Sequence, residues 1–304
     1  MSKLTVSPSP HIKSEMTTAN VMTHVIIGLF PMIIAGVLIF GGSALMLMGL
    51  SVAMCLLWEK LFCVITKKKD TTDDLSAVVT GILLSFNVPA TLPLWMMVIG
   101  TFVAIVITKM LFGGLGQNFA NPAIVGRIVL TLSFAEAMTT FVEPFYYRST
   151  DVVTQATPLA TGKASYKDLL FGNISGCLGE VCAIAILIGG VYLLCMRIIT
   201  WHIPLAYIGT VGIFSLLAGK DPVYQILSGG LLLGAFFMAT DYVTSPTTKI
   251  GKLIFGLGCG IITCVIRFYA SSAEGVSYAI LLMNIITPYI DMATRKKPLG
   301  AKEG

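Results

Sequence analysis

Four polar stretches interrupt a chain that is otherwise mostly hydrocarbon, and their residue types bound the chemistry open to it. "NVPATLP" (Asn87 to Pro93) places two prolines in an apolar run, where each removes a backbone donor and clashes with the preceding turn, so the break must face protein or a polar cavity rather than lipid. "GGLGQNFANPA" (Gly113 to Ala123) joins flexible glycines to Asn118 and Asn121. Asn121-Pro122 reads as an N-cap followed by proline at the first helical position. Exposed helix-start amides with two Asn side chains suit an anion or a polar ring edge; a glycine-rich turn that merely caps a helix fits these residues equally well. "DVVTQATPLAT" (151 to 161) is rich in hydroxyl and amide acceptors. "TDYVTSPTTK" (Thr240 to Lys249) ends one segment at Asp241, offers Ser245-Pro246 as the next start, and adds the hydroxyls of Thr247 and Thr248.

Other chemistries find little support. The charged residues inside apolar runs are Glu59, Lys60, Lys109, Arg127, Glu136, Glu180, Arg197 and Arg267. Intramembrane charge is costly and often functional, yet most of these lie near predicted segment ends, where snorkelling suffices. Arg127 is deeper and is a candidate for binding or helix pairing. The seven cysteines lie in apolar segments with no Cys-x-x-Cys spacing, and the three histidines are far apart, so neither a cluster nor a metal site is expected. No Ser-His-Asp arrangement, phosphate loop or dinucleotide-binding glycine fingerprint occurs.

The elements that must position these stretches are membrane helices. Of 304 residues 56% are hydrophobic and 12% charged, about half the charge of an ordinary globular domain; the mean hydropathy is +0.87. Apolar runs fall near 21–40, 44–65, 75–88, 94–112, 120–137, 175–199, 203–219, 223–240, 252–270 and 276–293, which makes about ten crossings, two of them short. Residues 1–20 lack an apolar signal core and read as a cytoplasmic tail. Lys67 to Lys69 and Arg295 to Lys297 place their ends inside, so residues 138–174 fall outside the cytoplasm and 294–304 form a second cytoplasmic tail. Basic residues scattered at segment ends report orientation and give no nucleic-acid patch, although the net charge is +5.

Two membrane repeats are expected, 21–137 and 175–293. Gly116, Asn118, Phe119 and Ala120 echo Gly275, Ser277, Tyr278 and Ala279, and the short segment ending in "NVPATLP" echoes the one ending in "TDYVTSPTT". Five segments separate the copies, and an odd number inverts the second. The expected fold is therefore an all-α integral membrane protein of two inverted five-segment repeats with broken or short helices.

Taken together, "SPSPH" at 7–11, "GGLGQN" followed by "NPA", "QATPL", "TWHIPL" at Thr200 to Leu205, "LGAFFMATDYVTSPTT" and "ITPYID" resemble the RnfD/NqrB family, from Ser7 to Asp291. The RnfD branch fits better, because the chain is short and has no long N-terminal extension. The resemblance implies a membrane subunit of an ion-translocating oxidoreductase carrying FMN, joined through its phosphate to a threonine in a motif like Asp-x-x-Ser/Thr-x-Ala-Thr. Here the motif reads Asp151, Val152, Val153, Thr154, Gln155, Ala156, Thr157, with Thr157 the implied attachment residue. A flavin transferase acting outside the cytoplasm would let the Thr157 hydroxyl attack the FAD pyrophosphate, forming a phosphoester and releasing AMP. Charge-based orientation puts Thr157 on that side independently.

The resemblance further implies a noncovalent riboflavin, with no residues assigned to it, and an inner bacterial membrane shared with other Rnf components: flavin-carrying RnfG, membrane-embedded RnfA and RnfE, and cytoplasmic RnfB and RnfC. Asn118, Asn121, Asp241, Thr247 and Thr248 are the candidate polar or flavin-contacting positions in the breaks. The alternatives are an NqrB-like subunit of a Na+-translocating NADH:quinone oxidoreductase, a small-solute channel or permease, and a structural scaffold. A permease has no need of a flavin-attachment motif, and a scaffold leaves the polar breaks unexplained.

Overall fold

A computed structural model describes residues 17–148, 154–162, 164–270 and 275–295. Most of the two tails, the "SPSPH" string and Asp151 with its two following valines lie outside the described residues.

The first half opens with α1 (Thr18–Phe40), whose N-cap Thr17 accepts from the Asn20 N–H, and α2 (Gly42–Thr66). A turn leads to the short α3 (Ser76–Phe86), which stops at Asn87 where the prolines of the break begin. Pro93 precedes α4 (Leu94–Phe102), which continues as a π-helix over Val103–Met110. Then α5 (Pro122–Ser133) starts as its sequence predicts, with the Asn121 side chain accepting from Ala123 N at 3.0 Å and proline in the first turn.

The second half runs through α6 (Ala183–Cys195), α7 (His202–Leu217), α8 (Pro222–Leu227), α9 (Leu231–Leu233) with its π-helical continuation Gly234–Met238, α10 (Lys249–Tyr269) and α11 (Val276–Thr294). α1, α2, α10 and α11 are long and apolar enough to cross a membrane; α3, α4 with its continuation, α5, α6 and α7 are shorter apolar helices. Large side chains such as Phe30, Leu38, Ile65, Leu132 and Leu217 are exposed on the outside of the bundle. That apolar exterior suits lipid, against which burying a hydrocarbon side chain brings no gain over leaving it outside.

The halves repeat one packing scheme. The first run packs on the third, the second on the fourth and the fourth on the fifth: α1 on α3, α2 on α4 and α4 on α5, then α6 on α9, α7 on α10 and α10 on α11. Between halves like meets like, α1 with α6 and α5 with α11. Self-pairing of that kind is what a two-fold relation produces, and both third runs are short and broken, as expected of inverted repeats.

Backbones meet closely at the first of these contacts. A Cβ on Gly189 would lie 2.0 Å from the Gly28 carbonyl oxygen, which is backbone and cannot swing aside. Gly189→Ala is therefore expected to destabilise the folded chain by at least the roughly 1–3 kcal/mol typical of overpacking. A lowered midpoint of thermal unfolding in detergent would register it; an unchanged midpoint would contradict this packing.

Two sequence expectations need correction. The apolar run 175–199 is not one helix: residues up to Cys182 are irregular, held by Leu178 N donating to Val88 O (3.1 Å) and Gly179 N to Phe86 O (2.9 Å), so they fill the space beside the first break. Nor is 223–240 continuous, because Ser228 to Gly230 interrupt it and Gly229 has φ +67°. The segment 138–174 is more than a plain loop. It carries a two-residue antiparallel pair, β1 (Phe141–Val142) with β2 (Thr154–Gln155), and the short helices Pro158–Thr161 and Tyr166–Phe171.

Candidate functional site

A small, partly open cavity of about 80 Å³ lies between α1, α3, the π-helical part of α4, the start of α5 and the end of α9. Val79, Leu83, Phe236 and Phe237 make it mostly apolar, while Ser76, Thr80, Lys109, Asn118, Asn121 and Asp241 supply polar groups. Apolar walls with a few polar groups are the usual composition of a small-molecule site. Asn118 is buried; its Nδ2 donates to Ala120 O at 3.0 Å, which fixes the amide orientation and leaves Oδ1 without a partner among the described residues. A buried acceptor with no donor costs about 1–3 kcal/mol, so the geometry favours a ligand that brings an N–H. Asn121 donates from Nδ2 to Met238 O at 3.2 Å and so joins the start of α5 to the end of α9.

Lys109 corrects the snorkelling expectation. It is 2% exposed, with Nζ donating to Glu59 Oε2 at 2.8 Å and Ser76 Oγ at 2.6 Å. Glu59 Oε1 accepts from Thr71 Oγ1 at 2.5 Å. Among the charges expected at segment ends, Lys60, Glu136 and Arg197 are exposed, whereas Glu59, Lys109 and Glu180 are buried.

A second polar group sits where the halves join. Arg127, on α5, donates from Nη1 to Asn87 Oδ1 (2.8 Å) and to Ser277 Oγ on α11 (2.9 Å), and it pairs with Glu180 at 3.3 Å. Asn87 in turn donates to Leu83 O at 2.6 Å and touches Met238 Sδ at 3.6 Å. One guanidinium thereby ties the first break, the irregular strand before α6 and the last helix together. The sequence offered binding or helix pairing for it, and the structure shows pairing.

The remaining candidates separate into two places. Asp241 lines the cavity while closing its own turn, accepting from Val243 N (3.4 Å) and Thr244 Oγ1 (3.1 Å). Thr247 and Thr248 do not line it. Thr247 donates from N and Oγ1 to Asp291 Oδ1 (3.0 and 3.1 Å), and Thr248 caps α10 by accepting from Gly251 N at 3.0 Å. That cap also replaces Ser245-Pro246 as the start of the next helix.

Thr157 stands on the far loop at the entrance to the helix Pro158–Thr161, half-buried and in extended conformation (φ −64°, ψ 155°). Its hydroxyl does not cap that helix and makes no hydrogen bond among the described residues. Beside it Gln155, Ala156, Pro158, Asp168 and Ser175 line an open pocket of about 330 Å³. Thr154 and Ala156 are exposed, and Gln155 accepts from Ser175 Oγ at 3.1 Å. The segment is docked rather than loose: Tyr224 Oη on α8 donates to Pro158 O at 2.8 Å. Close by, the Tyr166 hydroxyl donates to Asp221, which caps α8, and holds that carboxyl below the usual carboxylate range.

A model of the NQR2, RnfD, RnfE family matches residues 5–300. The chain belongs to that family. Its relatives include the D subunit of the Na(+)-translocating ferredoxin:NAD(+) oxidoreductase complex of Acetobacterium woodii, 47% identical over 98% of this chain and 95% of the relative. The D subunit of the proton-translocating ferredoxin:NAD(+) oxidoreductase complex of Clostridium ljungdahlii is 39% identical over 98% and 96%. The D subunit of the ion-translocating oxidoreductase complex of Salmonella newport is 33% identical over 98% and 99%.

Sequence reasoning on this RnfD-family chain missed Ser76, Thr80, Lys109, Phe236 and Phe237 as cavity residues. Lys109 carried a usable signal, being a lone cation before the glycine stretch; the two phenylalanines carried none. The docking of the Thr157 segment gives a direct test. Tyr224→Phe removes the bond donated to Pro158 O and a longer one accepted from Ala164 N at 3.4 Å, each worth about 1 kcal/mol net. It should raise the rate of proteolytic nicking near Pro158 severalfold while leaving the thermal midpoint nearly unchanged; an unaltered nicking rate would refute the clamp.

Proposed function

We propose that this chain is the RnfD component of an Rnf-type ion-translocating ferredoxin:NAD oxidoreductase complex, and that it carries FMN as a phosphoester on Thr157 and a noncovalent riboflavin in the cavity at Asn118 and Asn121. The observation that carries the first part is similarity to the D subunits of such complexes along almost the whole of both chains. It is a membrane subunit of an oxidoreductase that moves ions, with no catalytic centre of its own. The flavin assignments rest on the residues present. Thr157 offers a hydroxyl not committed to the fold beside an open pocket, and the cavity offers an unmet acceptor among apolar walls.

A bound flavin supplies one- and two-electron transfer. The chain's own residues would do the rest: Thr157 would anchor it, Tyr224 would hold the anchoring segment against α8, Asn118 Oδ1 would accept from an N–H donor, and Phe236 with Phe237 would exclude water. Orientation follows from the basic loops, with both termini cytoplasmic and Thr157 on the outer face of the bacterial inner membrane. There it would meet flavin-carrying RnfG and the transferase, with RnfA and RnfE alongside in the membrane and RnfB and RnfC on the cytoplasmic side. Coupling to Na+ or H+ would require electron transfer to bias the two broken segments between arrangements, since an equilibrium moves only through differential interaction.

The test is expression of the full chain with an extracytoplasmic flavin transferase. In-gel flavin fluorescence after denaturation together with riboflavin in an acid extract supports both sites. Absence of fluorescence removes the anchor, and an extract free of flavin removes the cavity site.

A further inference from the structure

The cavity wall carries a buried cation, Lys109. An ammonium has three N–H donors. Among the described residues Lys109 uses two, toward Glu59 and Ser76, and its side chain lines the cavity wall, whereas Glu59 lies behind it and does not. The same cavity contains the partnerless Oδ1 of Asn118. A cation and an unmet acceptor lining one mostly apolar cavity suit the pyrimidine edge of an isoalloxazine, where an N–H lies between two carbonyl oxygens.

We infer that Lys109 sets the reduction potential of the flavin in this cavity, with Glu59 as the opposing charge that limits how far it does so. The inference rests on the cavity being a flavin site. Each electron added to the ring adds one negative charge unless a proton follows it. A cation at the wall stabilises that charge more than it stabilises the neutral oxidised ring, and only such a difference moves a potential. The walls formed by Val79, Leu83, Phe236 and Phe237 keep the local dielectric low, so the interaction is weakly screened. Because Lys109 lines the cavity and Glu59 does not, the pair leaves a net positive bias toward a group bound there.

The charges predict an order. Glu59→Gln keeps a hydrogen-bonding oxygen for Lys109 but removes the opposing charge, and should raise the potential. Lys109→Met leaves Glu59 alone and should lower it. The double variant should lie between wild type and Lys109→Met. A residue that only packs would not give opposite signs to its two partners.

The experiment uses the full-length chain with Thr157→Val in every variant, so that all flavin present is noncovalent, and titrates it chemically against mediator dyes. We expect at least a tenfold rise in the reduced-to-oxidised ratio at fixed potential for Glu59→Gln and at least a tenfold fall for Lys109→Met. Each corresponds to about 59 mV for one electron. If Lys109→Met does not fold, Glu59→Gln and the double variant still decide the sign. Retained flavin whose ratio stays within twofold of wild type in both, or shifts the same way in both, overturns the role of Lys109 and leaves the flavin site standing. A Thr157→Val chain with native Lys109 and no extractable flavin overturns the cavity reading and this inference with it.

Discussion

Thr157→Val should abolish in-gel flavin fluorescence of the denatured chain while leaving its folding intact. Valine keeps the β-branched shape that suits the extended backbone at this position and replaces only the hydroxyl. That hydroxyl makes no hydrogen bond among the described residues, so its removal leaves no buried group unsatisfied there. The loss of fluorescence should be complete, because a phosphoester cannot form without the oxygen. Thr161→Val is the matched control. Its hydroxyl donates to Thr157 O at 3.3 Å from the same short helix, and fluorescence should survive its loss. In the assembled complex Thr157→Val should reduce ferredoxin-dependent NAD reduction to background, if the anchored flavin is an obligatory station. Persistent fluorescence in the valine variant would place the attachment elsewhere.

Arg127→Met should be strongly destabilising. Arg127 and Glu180 are 3% and 6% exposed, so the substitution leaves a buried carboxylate uncompensated and strips Asn87 and Ser277 of a donor. Removing one member of a buried pair costs roughly 3–5 kcal/mol. Against a total stability of about 5–15 kcal/mol, that is enough to deplete the folded fraction. Arg127→Met combined with Glu180→Gln should recover part of the loss, since the double variant buries no lone charge. Yield of folded protein and the thermal midpoint in detergent measure both. A double variant no better than Arg127→Met would show that the ion pair is not the source of the cost.

What could be read before the structure depended on whether the signal was local. The Asn121-Pro122 helix start and the stop at Asn87 involve neighbours in sequence, and both appear where the residues place them. Apolar composition, by contrast, says nothing about backbone shape. The irregular residues before Ala183 and the interruption at Ser228 to Gly230 were therefore hidden inside hydrophobic runs. Pairing across sequence was equally hidden: Lys109 meets Glu59 fifty positions away, and each looked like an ordinary end-of-helix charge by itself. The start of α10 shifted for a different reason. Thr248 offers a capping oxygen to Gly251, and that preference outweighed the proline at 246.

The segment Pro222–Met238 touches both candidate sites: Tyr224 at one end clamps the chain beside Thr157, and Phe236 and Phe237 at the other line the cavity. The interruption at Ser228 to Gly230 lies between those two contacts, so one short break sets how the Thr157 segment and the cavity are spaced. Substitutions inside either pocket would leave that spacing alone, whereas adding or deleting one residue at Ser228 to Gly230 would change it.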